Sequence, residues 1–225
     1  MTEISPKSPN NRSLVVLLGA MFIVLVVALY GAFTVLPPLL SGSNNSDGED
    51  ATVYTGTVYE PPVELENWTL PASTGEPLSL VDLRGRYVLL FFGFTHCPDV
   101  CPLTLAEFRR VKAILGDAAG DVTFLFVSVD SPRDTPEVVA EYLARFDEDF
   151  VGVTGDHQTL QQIGPQYDLF FELPSDPDVE ANYEVTHTGR SYVIDPNGQL
   201  RMSFSYGTDA ETIAAGIKGL MQSAG

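Results

Sequence analysis

The sequence has only two cysteines, Cys97 and Cys101, and just three residues separate them. A disulfide between them would close a loop too short to restrain much of the unfolded chain, so the spacing argues against a structural bridge. Two cysteines in one motif and none elsewhere are more typical of a working pair. Such a pair carries either redox chemistry or a metal ion.

Basic residues are also scarce: 12 lysines and arginines stand against 30 aspartates and glutamates, for a formal net charge of -18. Binding to nucleic acid requires a basic surface, and so does docking on anionic lipid. We therefore expect no nucleic-acid partner. The acidic surplus suits a basic or cationic partner, metal ions included, without specifying which.

Charge is absent from residues 14–36, which form a nearly unbroken apolar run. At about 1.5 Å per residue a helix of this length spans a bilayer, and the run exceeds the roughly 7–15 apolar residues of a signal peptide. Lys7 and Arg12 precede it and acidic residues follow it, which places the N-terminus in the cytoplasm. A buried core helix is the alternative, but this run has no polar face. We expect an uncleaved, single-pass anchor in the cell membrane.

This anchor defines the expected domain organisation. Residues 1–13 are a cytoplasmic tail, residues 14–36 the transmembrane anchor, and residues 37–59 a flexible tether that contains the polar stretch SGSNNSDGE. Residues 60–225 are then one domain on the outer side of the membrane, periplasmic or otherwise extracytoplasmic.

The pattern of that domain predicts an α/β fold. Residues 87–94 and 121–129 are apolar runs typical of parallel strands buried on both faces. Each precedes an amphipathic segment, residues 103–115 and residues 137–146, and Asp134 is a plausible cap for the second helix.

The C-terminal part continues with shorter elements. We expect a strand over 150–153, a helix over 158–167, an irregular loop or hairpin over 170–184, a strand pair over 191–194 and 200–204, and a helix over 209–221. The sequence Asp195-Pro196-Asn197-Gly198 is a strong hairpin turn signal between the paired strands. This order predicts a thioredoxin-like mixed sheet flanked by helices.

Cys97 and Cys101 lie between the first predicted buried strand and the predicted helix that follows it. The positive end of the helix dipole and its unpaired N–H groups favour a thiolate there. Two chemistries remain open. The pair resembles the Cys-x-x-Cys of thioredoxins with one residue added, and two thiolates are also soft donors that suit Cu(I) if a third ligand completes the site.

A third ligand must come from His96, His157 or His187, the only histidines. His96 adjoins Cys97 and its side chain should point away, which favours a role in the turn. His157 lies at a helix start and is expected to be solvated. His187 shortly precedes the strand over 191–194, where a thioredoxin-like fold places it against the cysteine helix. Position alone leaves a structural role and a ligand role equally open for His187.

Three motifs together resemble the SCO/SenC family over roughly residues 60 to 222. They are Thr95-x-Cys97-Pro98-Asp99-Val100-Cys101-Pro102, Ser128-Val129-Asp130-x-x-x-Asp134-Thr135-Pro136, and Thr186-His187-Thr188 ahead of Tyr192-Val-Ile-Asp195-Pro196-x-Gly198. The resemblance implies a membrane-anchored, thioredoxin-like copper protein that helps to build the binuclear copper centre of cytochrome c oxidase.

The resemblance also implies roles for particular residues. Cys97, Cys101 and His187 would be the ligands of copper, held as Cu(I) or as Cu(II), and Asp130 and Asp134 match paired acids near the site. The implied partners are subunit II of cytochrome c oxidase and a copper donor or thiol reductant.

Two functions follow. The favoured one is a copper metallochaperone, and the alternative is an enzyme, a membrane-tethered thiol–disulfide reductase in which Cys97 attacks and Cys101 resolves. Only the first requires His187. A peroxiredoxin-like peroxidase is disfavoured, because residues 91–97 lack the Pro-x-x-x-Thr-x-x-Cys pattern of that chemistry.

Overall fold

The computed structural model describes residues 56–174 and 183–223, together with Met21, Ile23 and Val26. Its contacts divide the chain into two units, Met1–Asp50 and Ala51–Gly225. The predicted tail over 1–13, nearly all of the predicted anchor over 14–36 and most of the tether over 37–59 lie outside the described residues. Within the described part of the chain, no helix is both long enough and apolar enough to cross a membrane.

The described residues of the second unit contain ten strands and four α-helices. The strands are β1 (Thr57–Glu64), β2 (Thr69–Leu70), β3 (Leu78–Ser79), β4 (Tyr87–Gly93), β5 (Val122–Ser128), β6 (Val151–Thr154), β7 (Phe171–Glu172), β8 (Thr186–His187), β9 (Arg190–Ile194) and β10 (Gln199–Ser205). The helices are α1 (Val100–Leu115), α2 (Pro136–Leu143), α3 (His157–Ile163) and α4 (Ala210–Ser223), and 3-10 turns occupy Leu80–Leu83, Gly116–Asp121 and Gly164–Tyr167.

Six strands form the main sheet in the order β1-β10-β9-β4-β5-β6. Strands β4, β5 and β6 run parallel to one another, whereas β9 is antiparallel to β4 and pairs with β10 across the predicted turn. The predicted mixed sheet is confirmed. Strands β2 with β3, and β7 with β8, form two small separate sheets.

Every residue of β4 is buried, because both faces of the sheet are covered. Successive side chains of a strand point to opposite faces. Phe91 meets Phe108 of α1 edge-on, with ring centroids 6.4 Å apart, while Phe92 packs against Tyr167 and Tyr192 on the other face. The sheet is therefore the middle of three layers, and β4 is one of its two central strands.

Three predicted boundaries need correction. Helix α1 begins at Val100 rather than Leu103. Helix α2 begins at Pro136 and ends at Leu143, and its cap is Thr135, whose hydroxyl accepts a hydrogen bond from the Val138 N–H, rather than Asp134. Strand β1 begins at Thr57, inside the predicted tether, and pairs with β10 as an edge strand.

Candidate metal centre

The two cysteines flank the start of α1. Cys97 lies in the loop that follows β4, and its N–H donates to the Phe94 carbonyl at 3.3 Å. Cys101 lies in the first turn of the helix, and its own N–H donates to the Cys97 sulfur at 3.4 Å. The first N–H groups of a helix have no intrahelical partner. The Cys97 sulfur therefore takes the place of a capping acceptor, as the strand-to-helix position predicts.

The two thiols have unequal surroundings. Both are free, and Cys97 is half-buried whereas Cys101 is fully buried. A hydrogen bond from the Cys101 thiol, with smaller contributions from His187 and from backbone N–H groups, lowers the pKa of Cys97 to about 4 against the opposing effect of burial. The same hydrogen bond, together with burial, raises the pKa of Cys101. The pair therefore holds one thiolate, on the accessible sulfur, and one thiol.

His187 reaches this pair from β8. Its Nε2 lies 3.7 Å from the Cys101 sulfur, and its Nδ1 lies 3.2 Å from the Thr188 carbonyl oxygen. Because a carbonyl oxygen only accepts, Nδ1 is the donor to Thr188, and Nε2 is the ring nitrogen that faces the sulfur. Phe91 and Phe94 hold the imidazole edge-on, with ring centroids 5.9 and 5.7 Å away.

The donor atoms of Cys97, Cys101 and His187 all lie within 4.8 Å of one another. The group opens into a surface cleft whose walls include Pro98 and Tyr206. Two sulfurs and one imidazole nitrogen form a soft donor set that suits Cu(I). The residues present therefore fit a copper ion, whose binding would displace the proton that the two thiols share.

Asp134 is buried and serves the cysteine loop rather than the α2 cap. It accepts hydrogen bonds from the Thr95 N–H at 2.8 Å, from the Thr95 hydroxyl at 2.6 Å and from the Ser128 hydroxyl at 2.5 Å. These bonds join the end of β5 to the first residues of the cysteine loop. Asp134 thus contacts the residue two positions before Cys97.

Asp130 is equally buried and serves a different segment. Its Oδ2 accepts from Arg133 Nε at 2.6 Å, and its Oδ1 accepts a short hydrogen bond from the Tyr183 hydroxyl. The Arg133 guanidinium also lies 3.6 Å from the centroid of the Tyr183 ring. Asp130 is therefore connected to the segment that leads into His187.

The other two histidines behave as predicted. His96 is exposed, and its Nδ1 lies 3.1 Å from the Thr95 hydroxyl and 3.8 Å from Asp134 Oδ1. His96, Asp130 and Asp134 form a second close group of potential ligands, but the carboxylate oxygens of both acids already accept the hydrogen bonds given above. His157 is exposed beside the α3 cap Asp156, and its ring packs on Phe171.

Four residues that support the site were given no role from the sequence: Thr95, Ser128, Arg133 and Tyr183. Thr95 and Ser128 were named only as members of the motifs. Ser128 carried a usable signal, because it is a polar residue at the end of a mostly apolar strand. Nothing in the sequence indicated a role for Arg133 or Tyr183, because these two contacting residues are 50 positions apart.

The matches to known proteins cover the domain that contains the cysteines and His187. The SCO1/SenC family model matches residues 58–222. The "SCO2-like protein" of Rickettsia felis is 32% identical over 163 residues, which covers 72% of this chain and 80% of that protein.

Solved structures agree with this match. Bradyrhizobium japonicum ScoI, solved with copper bound, superposes with a TM-score of 0.62 at 32% identity and covers 69% of this chain and 98% of that one. Apo Sco1 from Thermus thermophilus gives a TM-score of 0.68 at 30% identity, covering 76% and 99%. The chain belongs to the SCO1/SenC family.

Proposed function

We propose that this protein is a copper metallochaperone that binds Cu(I) through Cys97, Cys101 and His187. The observation that carries the proposal is the convergence of two sulfurs and Nε2 within 4.8 Å. The related protein solved with copper bound supports copper as the ion. Cu(I) prefers such soft ligands, and the thiols must be reduced to bind it, so oxidation of the pair would switch binding off.

The unequal burial of the ligands suits transfer as well as binding. Cys101 is fully buried behind the site, whereas Cys97 faces the cleft as the thiolate. An incoming ligand from a partner would replace Cys97 first, while Cys101 and His187 still hold the ion. Stepwise ligand exchange of this kind moves Cu(I) without releasing it to water.

The proposed recipient is the binuclear copper site of cytochrome c oxidase subunit II, as the family resemblance implies. We also propose that residues 14–36 anchor the chain in the cell membrane, with residues 1–13 in the cytoplasm. Residues 37–56 would then tether the domain that begins with β1 at Thr57 on the outer side, where an exported recipient domain is accessible. The uncharged apolar run and the flanking charges support this arrangement.

A transfer assay tests the proposed function. The reduced chain, loaded anaerobically with one equivalent of Cu(I), is mixed with the reduced, copper-free exported domain of subunit II, and copper is measured in each protein after separation. We expect copper to move to the recipient, and a Cys97→Ser chain to carry too little copper to transfer. Retention of all copper by the loaded wild-type chain would contradict delivery.

A second function is favoured by the state of the cysteines. A half-buried thiolate with a pKa of about 4 beside a buried thiol is the arrangement of an attacking and a resolving cysteine. Cys97 would attack a disulfide of the target, and Cys101 would then displace the target thiol from the mixed disulfide. The chain ends oxidised, so a thiol reductant must restore it.

The two functions differ in their need for the imidazole. Reduction of a disulfide in the recipient domain should continue in a His187→Ala chain, whereas copper delivery should fail in it. If the His187→Ala chain delivers copper as well as the wild type does, the metallochaperone assignment is wrong. If the wild-type chain leaves the recipient disulfide intact, the reductase assignment is wrong.

A further inference from the structure

We propose that Asp130, Arg133 and Tyr183 form a latch that positions His187 against the cysteines. The inference rests on the proposed copper site, because it assigns these residues a role toward one of its ligands. They are positioning residues, and the ligand that they act through is His187.

The need for a latch follows from the way His187 is carried. Strand β8 has only two residues, and it pairs with the two residues of β7 outside the six-stranded sheet. Isolated two-stranded pairs are marginally stable on their own. The backbone of β8 therefore does not by itself fix the imidazole near the Cys101 sulfur.

Side-chain contacts of the latch hold the segment that leads into His187. Tyr183 lies four positions before His187 and is buried, with 8% of its surface exposed. Its hydroxyl donates to Asp130, its carbonyl accepts from Arg133 at 3.0 Å, and the Arg133 guanidinium stacks on its ring. Three contacts of different kinds thus hold one residue in both position and orientation.

Two residues of the latch, Asp130 and Arg133, belong to the same loop that contacts the segment before the cysteines. Residues 129–135 connect β5 to α2, and within this loop the Arg133 and Asp134 N–H groups donate to the Asp130 carbonyl at 3.1 and 2.9 Å. Asp134 binds Thr95 before the cysteines, and Asp130 binds Tyr183 before the histidine. One loop therefore sets the relative placement of both ligand-bearing segments.

A second path runs through an aromatic ring. The Arg133 guanidinium lies 6.0 Å from the centroid of Phe94, and the Phe94 ring meets the imidazole of His187 edge-on at 5.7 Å. Displacing Arg133 would loosen the surface on which the imidazole rests. The buried charge of Asp130 matches this role, because buried ion pairs contribute positional specificity in some proteins more than stability.

The variant that isolates the latch is Tyr183→Phe, which removes the hydroxyl and keeps the ring under Arg133. Tyr59→Phe is the matched control, because it also removes a hydroxyl that donates a hydrogen bond, to Ser203 Oγ at 3.1 Å, and Tyr59 is not among the residues that line the cleft. Loss of an outer partner of a metal ligand typically weakens metal binding by about 10–100-fold. We expect this loss for Tyr183→Phe, measured by competition with a Cu(I) chelator, and no change for the control.

A double-mutant cycle with His187→Ala distinguishes positioning from general destabilisation. If the latch acts through His187, Tyr183→Phe should weaken Cu(I) binding in the wild-type background and have no further effect in His187→Ala. X-ray absorption of the copper-loaded Tyr183→Phe chain should show reduced imidazole scattering. Equal weakening in both backgrounds, or wild-type affinity in Tyr183→Phe, would overturn the proposal.

Hydrogen exchange in the copper-free chain tests the latch independently of copper binding. In the copper-free full chain, the Thr188 N–H donates to the Phe170 carbonyl at 2.8 Å, and its hydrogen exchange reports on the hairpin that carries His187. We expect faster exchange at Thr188 in Tyr183→Phe and unchanged exchange in β4. If the wild type binds no copper but this difference is present, the copper assignment fails and the latch stands; unchanged exchange would overturn the latch.

Discussion

The cysteine loop and the histidine hairpin supply one site but are held in place differently. The cysteine loop joins β4, a seven-residue strand paired on both sides, to the 16-residue helix α1. The hairpin of β7 and β8 has two residues on each side and depends on side chains that reach it from residues 129–135. In the proposed account, the backbone fixes the first two proposed ligands, Cys97 and Cys101, and side-chain contacts fix the third, His187.

This difference has a consequence for the effects of mutations. Changes around the cysteine loop should act on the stability of the whole domain, because its neighbours belong to the main sheet. Changes around the hairpin should act on metal affinity while the domain remains folded. The following predictions test this division, from the largest expected effect to the smallest.

Cys101→Ser should abolish tight Cu(I) binding, because it removes the buried sulfur that, in the proposed mechanism, stays bound to copper during transfer. Serine is a hard oxygen donor and a poor ligand for Cu(I). Competition with a Cu(I) chelator measures the loss, and circular dichroism checks the fold. A Cys101→Ser chain with wild-type affinity would show that the buried sulfur is not a ligand.

Asp134→Ala should lower the free energy of unfolding by about 3 kcal/mol, since it leaves the buried partners of the carboxylate without an acceptor. Urea denaturation measures the change, with Asp117→Ala on an exposed 3-10 turn as the control. The control should stay within about 0.5 kcal/mol of the wild type. A similar small change for Asp134→Ala would mean that the loop holding the cysteines is not supported from β5.

Gly93→Ala should cost about 1–3 kcal/mol of stability through overpacking at the end of β4. A methyl group there would lie 2.8 Å from the rings of Phe91 and Phe126 and 2.9 Å from the Cys101 sulfur. Gly120→Ala is the control, because a methyl group there would meet no described atom within 4 Å beyond its own chain neighbours and local helix backbone. Thermal unfolding of the two variants gives the comparison, and equal melting temperatures would contradict the close packing behind Cys101.

Alkylation of Cys97 should be nearly independent of pH between about pH 6 and 8. With a pKa of about 4 the sulfur is already a thiolate throughout this range, whereas an ordinary thiol with a pKa near 8.5 gains almost tenfold in thiolate per pH unit. Iodoacetamide labelling followed by mass spectrometry measures the rate. Cys101→Ala removes the main hydrogen-bond donor, so pH dependence should reappear in that variant.

A tenfold rise per pH unit in the wild type would contradict the lowered pKa. It would also remove the observation that favours a reductase.

The position of the two cysteines in the fold could be predicted from the sequence, because all the residues that indicate it lie close together in the chain. An apolar run, two cysteines and an amphipathic segment lie within residues 87–115, and the structure places β4, the pair and α1 there. His187 was expected near the cysteines from the fold class, and its Nε2 lies 3.7 Å from the Cys101 sulfur.

The roles of Thr95 and Tyr183 could not be predicted, because their partners lie 39 to 53 positions away in the sequence. Asp134 was predicted to cap α2, since aspartate is a common N-cap residue, but it is buried and its three hydrogen bonds join it to Thr95 and Ser128. Strand β1 was not predicted, because it is mostly exposed and contains Pro61 and Pro62. Its pairing with β10 becomes apparent only in the folded domain.

The most direct test of the three-ligand site is an anaerobic Cu(I) titration of the reduced 225-residue chain beside His187→Ala and His157→Ala. His157 is an exposed histidine outside the cysteine group, so it controls for loss of any imidazole. We predict one tight equivalent for the wild type and for His157→Ala, and binding weakened by at least about 100-fold in His187→Ala. Unchanged binding in His187→Ala, or no tight equivalent in the wild type, would contradict the site.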